Sequence, residues 1–117
     1  MSMRFSVTRR YSFEAGHFLP MVADDHKCKR KHGHNYELEV TVNAPLHDNG
    51  FIIDFWDLDK LVDPLIEKLD HRMLNDIEGL ENPTAEHIAG WFLVRLPVAS
   101  AITVFETKNC WADVIRT

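Results

Sequence analysis

Three histidines of this sequence have the type and spacing of metal ligands. His32 and His34 flank Gly33 at the start of a segment in which apolar and polar residues alternate. Residues two apart in an extended strand project to the same side, about 6 to 7 Å apart, so both imidazoles can reach one ion. His17 has the parity of the apolar residues in an earlier alternating segment, so it faces the same buried side. Three nitrogen ligands with a fourth position left for water or substrate are typical of catalytic zinc, which the sequence therefore predicts here.

Cys28 is a candidate general base beside this histidine group. It lies four residues before His32, among the basic residues Lys27, Arg30 and Lys31. Their positive charge favours the thiolate, the form that removes a proton. Two other interpretations remain open: Cys28 completes a closed zinc site with the three histidines, or it is an inert, half-buried thiol.

Two further acidic positions are candidates for proton transfer and ligand binding. Asp70 and His71 are adjacent, and adjacent side chains on a helix diverge by about 100°, so they act together only where a helix has ended. Alternatively, a cationic His71 stabilises the helix C-terminus while Asp70 is solvated. Glu106 shares the parity of Ile102 and Val104, so its carboxylate faces the buried side. There it needs a partner such as an internal arginine or a ligand with two adjacent N–H groups.

The elements that position these residues follow from hydrophobic periodicity. Alternation predicts strands from Phe5 to Glu14 and from Asn35 to Asn43. A helix capped by Asp54 follows, in which Pro64 predicts a kink or a division into two shorter pieces. Thr84 caps a second helix.

Two strands are predicted near the C-terminus, over residues 101–106 and 111–116. The order strand, strand, helix, helix, strand, strand predicts an α+β fold, with an antiparallel sheet covered on one face by the helices. The edges of such a sheet must be covered or paired, and pairing between subunits is the obvious means.

Composition narrows the class of protein. A chain of 117 residues that is 45% hydrophobic has the size of one compact domain, which we expect to span residues 1–117. The formal net charge of -5 argues against nucleic-acid binding, and no apolar run approaches the roughly 20 residues of a membrane span. The N-terminal residues do not resemble a signal peptide, and two cysteines are too few for a secreted disulfide framework. We therefore expect a cytoplasmic protein without nucleic-acid or membrane partners.

The candidate residues lie in segments that resemble those of a known family. The segments are 13–17 (FEAGH), 28–36 (CKRKHGHNY), 53–55 (IDF), 69–75 (LDHRMLN), 82–86 (NPTAE) and 106–107 (ET). They are similar in type and order to segments of 6-pyruvoyltetrahydropterin synthases and 6-carboxytetrahydropterin synthases. Together they span nearly the whole chain, and their common order makes coincidence very improbable.

The resemblance implies a tunnelling fold (T-fold), in which a four-stranded antiparallel sheet carries two helices on one face and trimers close into a barrel. Two stacked trimers usually form a hexamer, so the resemblance implies a homo-oligomer with active sites between subunits. It also implies that His17, His32 and His34 hold zinc and that Cys28 is the proton-abstracting base.

Further site residues are implied in the same way. Asp70 and His71 correspond to a proton relay, and their partner Cys28 can belong to another subunit. Glu106 corresponds to the residue that anchors the pterin and joins the relay. Thr84 corresponds to a residue that helps to hold the pterin, in addition to capping a helix.

Two branches of this family act on 7,8-dihydroneopterin triphosphate and differ in product. The spacing of three residues between Cys28 and His32, and the segment 75–84, resemble the queuosine-pathway branch. Its enzymes form 6-carboxy-5,6,7,8-tetrahydropterin, acetaldehyde and triphosphate. The alternative within the family is a 6-pyruvoyltetrahydropterin synthase, which eliminates triphosphate and retains the two-carbon fragment. The alternative outside catalysis is a zinc-binding or pterin-binding module.

Overall fold

The computed structural model describes residues 2–117 and has four strands and two α-helices. In chain order they are β1 (Ser6–His17), β2 (His32–Asn43), α1 (Phe55–Leu69), α2 (Ala85–Arg95), β3 (Ala101–Thr107) and β4 (Cys110–Ile115). Short 3-10 helices lie at Lys27–Lys29 and Leu74–Asp76. The predicted order of elements is confirmed.

The strands form one antiparallel sheet in the order β1-β2-β3-β4. β1 and β2 pair along their full length, from Ser6 opposite Asn43 to His17 opposite His32. Directly opposite residues project to the same face, and so do residues two apart on one strand. The register therefore sends His17, His32 and His34 to one face at one end of the sheet.

The helices cover the face of the sheet on which the apolar residues alternate. α1 packs against β1, and α2 packs against β3 and β4. Side chains that are fully buried in this core include Tyr36, Leu38, Val40, Leu58, Leu69, Ile88, Phe92, Ile102 and Val104. The opposite face carries mainly polar and charged side chains, among them Arg10, Glu37 and Glu39. The predicted α+β arrangement with helices on one face is confirmed.

α1 is one continuous helix, so of the two alternatives predicted at Pro64 the division into two shorter pieces is wrong, whereas the kink stays a prediction. Asp54 caps the helix as predicted, because its side chain accepts a hydrogen bond from the backbone N–H of Trp56. Pro64 lies on the exposed side, where the carbonyl that loses its helical partner can bind water. The buried stripe of Leu58, Val62, Leu65 and Leu69 stabilises the helix through this position. Within residues 2–117, neither helix has the length and apolar character needed to cross a membrane.

The hairpin between β3 and β4 is tighter than predicted. β3 continues through Thr107 and β4 begins at Cys110, so residues 108–109 form the turn instead of residues 107–110. Thr107 pairs with Cys110, and the register shifts at the preceding residue, Glu106. This β-bulge gives Glu106 a local geometry that simple alternation did not predict.

Candidate metal centre

The ends of β1 and β2 bring the three predicted histidines together. The ring centroids of His17 and His32 are 4.5 Å apart, those of His17 and His34 are 5.0 Å apart, and those of His32 and His34 are 4.9 Å apart. His17 is fully buried, and the other two rings are partly buried. The three imidazoles thus face one another at the edge of the core.

Backbone carbonyl groups orient two of these rings. Nδ1 of His17 lies 2.9 Å from the carbonyl oxygen of Pro83, and Nδ1 of His32 lies 2.7 Å from that of Arg30. A carbonyl oxygen only accepts hydrogen bonds, so we assign the ring proton of both histidines to Nδ1. Nε2 of each ring then carries a free lone pair, which is the form of imidazole that binds a metal.

The ring nitrogens that point towards one another accept no hydrogen bond from the described part of the chain. Nε2 of His17, His32 and His34 is buried and has no hydrogen-bond partner in the described part of the chain. Oε1 of Glu106 lies 3.4 Å from Nε2 of His17 and 3.2 Å from Nε2 of His34. One ligand atom from each of these four residues lies within 4.8 Å of the other three. Buried acceptors that face one another are unfavourable unless a cation lies among them, so this donor set fits a metal ion.

The local environment also sets protonation states suited to a metal ion. Burial lowers the pKa of His34, although the charge of Glu106 opposes this effect. The adjacent imidazole of His17 lowers the pKa of Glu106, and the charge of His34 acts in the same direction against the effect of burial. A neutral His34 and an ionised Glu106 are the forms that donate lone pairs to a metal.

Glu106 faces the buried side of the sheet, as its parity predicted. An internal arginine was one expected partner, but within residues 2–117 the charged or ionisable groups in contact with the carboxylate are the imidazoles of His17 and His34. Its place among the histidines was not predicted, because the sequence did not reveal that β3 lies directly beside β2. Binding of a ligand N–H group by Glu106 stays a prediction.

Cys28 lies beside the histidine group but outside the set of close ligand atoms. The partly buried, free thiol shares a cavity of about 320 Å³ with Lys27, Arg30, Lys31 and His32. This position argues against the closed site of one cysteine and three histidines, because the sulfur is not among the converging donors. It favours the interpretation in which the thiol of Cys28 faces a molecule bound next to the metal.

Asp70 and His71 form a hydrogen-bonded pair where α1 ends, the position at which adjacent side chains can act together. His71 has a φ of 59°, in the left-handed region that histidine adopts more readily than most residues. The turn brings Oδ2 of Asp70 to 3.0 Å from Nδ1 of His71. Oδ1 of Asp70 accepts a hydrogen bond from the backbone N–H of Glu14 at 2.9 Å, so Asp70 is not simply solvated. This backbone hydrogen bond, followed by the one to His71, lowers the pKa of Asp70.

Within one chain, the structure does not bring the Asp70-His71 pair to Cys28. Asp70 and His71 line a cavity that they share with Glu14 and Glu37, whereas Cys28 lines the basic cavity. The carboxylate of Glu14 also lies 3.6 Å from Nε2 of His71. No local pattern indicated this contact of Glu14, because it depends on how the end of α1 meets β1.

The start of α2 supports the metal group from behind. Oγ1 of Thr84 accepts a hydrogen bond from the backbone N–H of His87 at 3.1 Å, which confirms the predicted cap. The preceding residue, Pro83, is the one whose carbonyl orients His17. A contact between Thr84 and a pterin stays a prediction.

Two supporting residues were not predicted. The hydroxyl group of Tyr36 lies 3.1 Å from Nδ1 of His17. The side chain of Asn75 bonds both backbone groups of Phe18, next to His17, at 3.0 and 2.8 Å. Tyr36 shares the parity of His34. This was the one sequence signal that its side chain faces the same side of the sheet as that histidine.

The chain matches a family model along almost its whole length. The model is described as 6-pyruvoyl tetrahydropterin synthase and matches residues 6–116. The solved structure of Caenorhabditis elegans 6-pyruvoyl tetrahydropterin synthase superposes with a TM-score of 0.89 at 24% identity. That alignment covers 98% of this chain and 97% of the other, which shows that the two share a fold.

Two curated relatives are more similar in sequence. The 6-carboxy-5,6,7,8-tetrahydropterin synthase of Synechocystis sp. is 38% identical over 112 residues, covering 86% of this chain and 85% of that protein. The dihydroneopterin monophosphate aldolase of Pyrococcus furiosus is 37% identical over 94 residues, covering 80% of this chain and 76% of that protein. These similarities, together with the match over residues 6–116, show that the chain belongs to the 6-pyruvoyl tetrahydropterin synthase family.

Proposed function

We propose that this protein is a zinc-dependent lyase that converts 7,8-dihydroneopterin triphosphate and one water molecule to 6-carboxy-5,6,7,8-tetrahydropterin, acetaldehyde and triphosphate. The observation that carries the proposal is the convergence of the buried, unpartnered Nε2 atoms of His17, His32 and His34. The relative from Synechocystis sp. with the corresponding name supports this product over others. So does the resemblance of the segments 28–36 and 75–84 to the queuosine branch.

The residues of the metal group have separate tasks in this proposal. His17, His32 and His34 would hold zinc through Nε2, in the orientation that the carbonyl groups behind two of the rings impose. When bound, zinc would supply Lewis-acid polarisation of substrate side-chain oxygens, which acidifies the neighbouring C–H and O–H groups. Oε1 of Glu106 faces the imidazoles, which leaves Oε2 to accept a hydrogen bond from a pterin N–H group. The hydroxyl of Thr84 would contribute to pterin binding.

Proton transfer falls to Cys28 and to the Asp70-His71 pair. The thiolate of Cys28 would take a proton from the substrate side chain. His71 would exchange protons with the same side chain, on the side away from Cys28. Asp70 would hold the ring of His71 through Nδ1, at the observed distance of 3.0 Å. Because the two groups line different cavities in one chain, the proposal includes an active site that is completed by a neighbouring subunit.

The proposal therefore includes a homo-oligomer, with a trimeric barrel and a hexamer of two stacked trimers as its expected form. β1 and β4 are the two edges of the sheet, and each has one side without a partner strand in the described chain. Edge-to-edge pairing between subunits would satisfy both. The free thiols of Cys28 and Cys110 support a reducing compartment, such as the cytoplasm.

A 6-pyruvoyltetrahydropterin synthase is the main competing function. The description of the matching family and the fold shared with the Caenorhabditis elegans enzyme favour it. It would use the same residues but retain the two-carbon fragment of the side chain. A zinc-binding or pterin-binding module without catalysis is less well supported, because it requires Cys28 among the metal ligands.

Product analysis separates these functions. Zinc-loaded protein is incubated anaerobically with 7,8-dihydroneopterin triphosphate, products are identified by mass spectrometry, and acetaldehyde is assayed separately. We expect 6-carboxytetrahydropterin together with acetaldehyde. Formation of 6-pyruvoyltetrahydropterin without acetaldehyde would assign the protein to the other branch. A folded, zinc-loaded protein without turnover would contradict a lyase of either kind.

A further inference from the structure

The cavity beside Cys28 is lined by basic side chains to which no role above assigns a ligand. Its lining residues are Lys27, Cys28, Arg30, Lys31 and His32. Three of them are lysine or arginine and none is acidic, although the whole chain has a net charge of -5. The positive charge is therefore concentrated next to the metal group.

The loop that carries these cations is held in place by its own hydrogen bonds. The backbone N–H of Cys28 donates to Nδ1 of His26 at 3.0 Å, and the carbonyl of Cys28 accepts from the backbone N–H of Leu19 at 2.8 Å. Nζ of Lys29 donates to the carbonyl of Pro20 at 3.0 Å, so this lysine is used within the loop. Lys29 does not line the cavity.

The three lining cations are available to a ligand. The side chains of Lys27, Arg30 and Lys31 are exposed, and none of them makes an ion pair within residues 2–117. An exposed cation that is not neutralised by a carboxylate can form charge-assisted hydrogen bonds with phosphate oxygens.

Two further cavities, both lined by residues of β1 and β2, have the opposite charge. One is lined by residues that include Glu14 and His34, and the next by residues that include Glu14, Glu37 and Asp70. No lysine or arginine lines either of them. A polyanion would be repelled there, so of these three cavities the one beside Cys28 and His32 is the most favourable for the phosphate end of a substrate.

We infer that Lys27, Arg30 and Lys31 form a polyphosphate subsite that makes the enzyme prefer a triphosphate ester over a monophosphate ester. This subsite rests on the proposed function, because the reacting side chain of the substrate lies between its pterin ring and its phosphates. A chain of three phosphates can reach several of the cations, whereas one phosphate reaches fewer. The distinction matters in this family, since the Pyrococcus furiosus relative is named for a monophosphate.

Matched double variants test the preference. Lys27→Ala/Lys31→Ala removes two exposed lysines from the cavity, and Lys60→Ala/Lys68→Ala removes two exposed lysines from α1. We expect the first to raise KM for dihydroneopterin triphosphate by about 10- to 100-fold with little change in kcat, since uniform binding is lost. KM for the monophosphate should change much less, and the α1 variant should match the wild type. An equal rise of KM for both esters, or an equal effect of both variants, would overturn the subsite.

Direct binding separates this inference from the proposed function. Calorimetry with inorganic tripolyphosphate, and with orthophosphate as the reference anion, is performed on the zinc-loaded wild type, both double variants and Arg30→Ala. Zinc content is measured before and after, because tripolyphosphate also chelates metal. We expect tripolyphosphate binding to weaken in the cavity variants alone, even if neither ester is turned over. Unchanged tripolyphosphate binding in the cavity variants would overturn the subsite even if the lyase activity stands.

Discussion

Tyr36 packs against two of the three imidazole rings and is fully buried. Its hydroxyl is 3.1 Å from Nδ1 of His17, the nitrogen that also meets the carbonyl of Pro83. Its ring meets those of His17 and His34 edge to face, with centroids 5.9 and 5.4 Å apart. Partners behind a metal ligand fix its ring orientation, so we expect Tyr36 to position His17.

Replacing Tyr36 with Phe should weaken zinc binding by about 10- to 100-fold, the usual effect of losing such a partner. Tyr11→Phe is the matched control, because it also removes one hydroxyl hydrogen bond, to Asp59 at 2.6 Å, away from the histidines. Competition with a chelator measures the zinc affinity of both variants. Thermal unfolding of the metal-free proteins checks that they lose similar stability. The same zinc affinity in both variants would contradict a positioning role.

Cys28→Ala should retain one zinc per chain while losing turnover by about 10²- to 10⁴-fold, the range for a general base. The reason is that the sulfur lies outside the converging ligand atoms. Metal analysis and steady-state kinetics measure the two effects. Cys110→Ala removes the other free thiol, which is exposed, and should change neither. Loss of zinc from Cys28→Ala would instead identify the thiol as a ligand.

The end of α1 is hydrogen-bonded to strand β1 through the backbone of Glu14. The backbone N–H of Glu14 donates to Oδ1 of Asp70, and the carbonyl of Glu14 accepts from the backbone N–H of His71. These bonds hold the left-handed turn at His71 and lower the pKa of Asp70. The ionised carboxylate of Asp70 therefore stabilises the folded chain.

This linkage predicts a stability difference that depends on pH. A pKa lowered on folding gives stability that is present above the ordinary value of 3.8 and is lost as the pH falls through the folded-state pKa. Metal-free wild type should therefore be more stable than Asp70→Asn at about pH 6, and the difference should shrink towards about pH 3. Urea unfolding at both pH values measures it. Asp48→Asn, at an exposed turn position, provides the control. A difference that does not change with pH would contradict the role of the Asp70 charge.

For the whole molecule, the separation of Cys28 from the Asp70-His71 pair is the main consequence of the fold. Cys28 lies in the short helix between β1 and β2, whereas the Asp70-His71 pair lies where α1 ends, and the two line different cavities of one chain. Assembly through the free edges of β1 and β4 would bring one chain's Cys28 towards another chain's Asp70-His71 pair.

Mixing two inactive variants tests this arrangement. Cys28→Ala and His71→Ala subunits are each expected to be inactive alone. If subunits are unfolded together and refolded as mixed oligomers in equal amounts, about one quarter of the sites receive both intact groups, so about one quarter of wild-type activity should return. Native mass spectrometry verifies the mixed assembly. Mixed oligomers that stay inactive would show that each chain supplies its whole site.

Much of the fold was predictable, because local periodicity dominates it. The alternation in β1 and β2 and the caps at Asp54 and Thr84 gave the correct elements, and parity gave the buried face. The response of α1 to Pro64 was not predictable, since it depends on how firmly the buried stripe of the helix packs against β1. The bulge at Glu106 depends equally on the pairing of β3 with β4.

The same division applies to the site. Parity along a strand is a local property, so the residue pattern alone indicated which side chains face inward, and this was enough to select His17, His32 and His34. The folded chain was needed to identify the groups that contact them, which are the carbonyl of Pro83, the hydroxyl of Tyr36 and the carboxylate of Glu106. Those contacts join residues far apart in the chain, and their positions are set by strand register and helix packing, which no local pattern encodes.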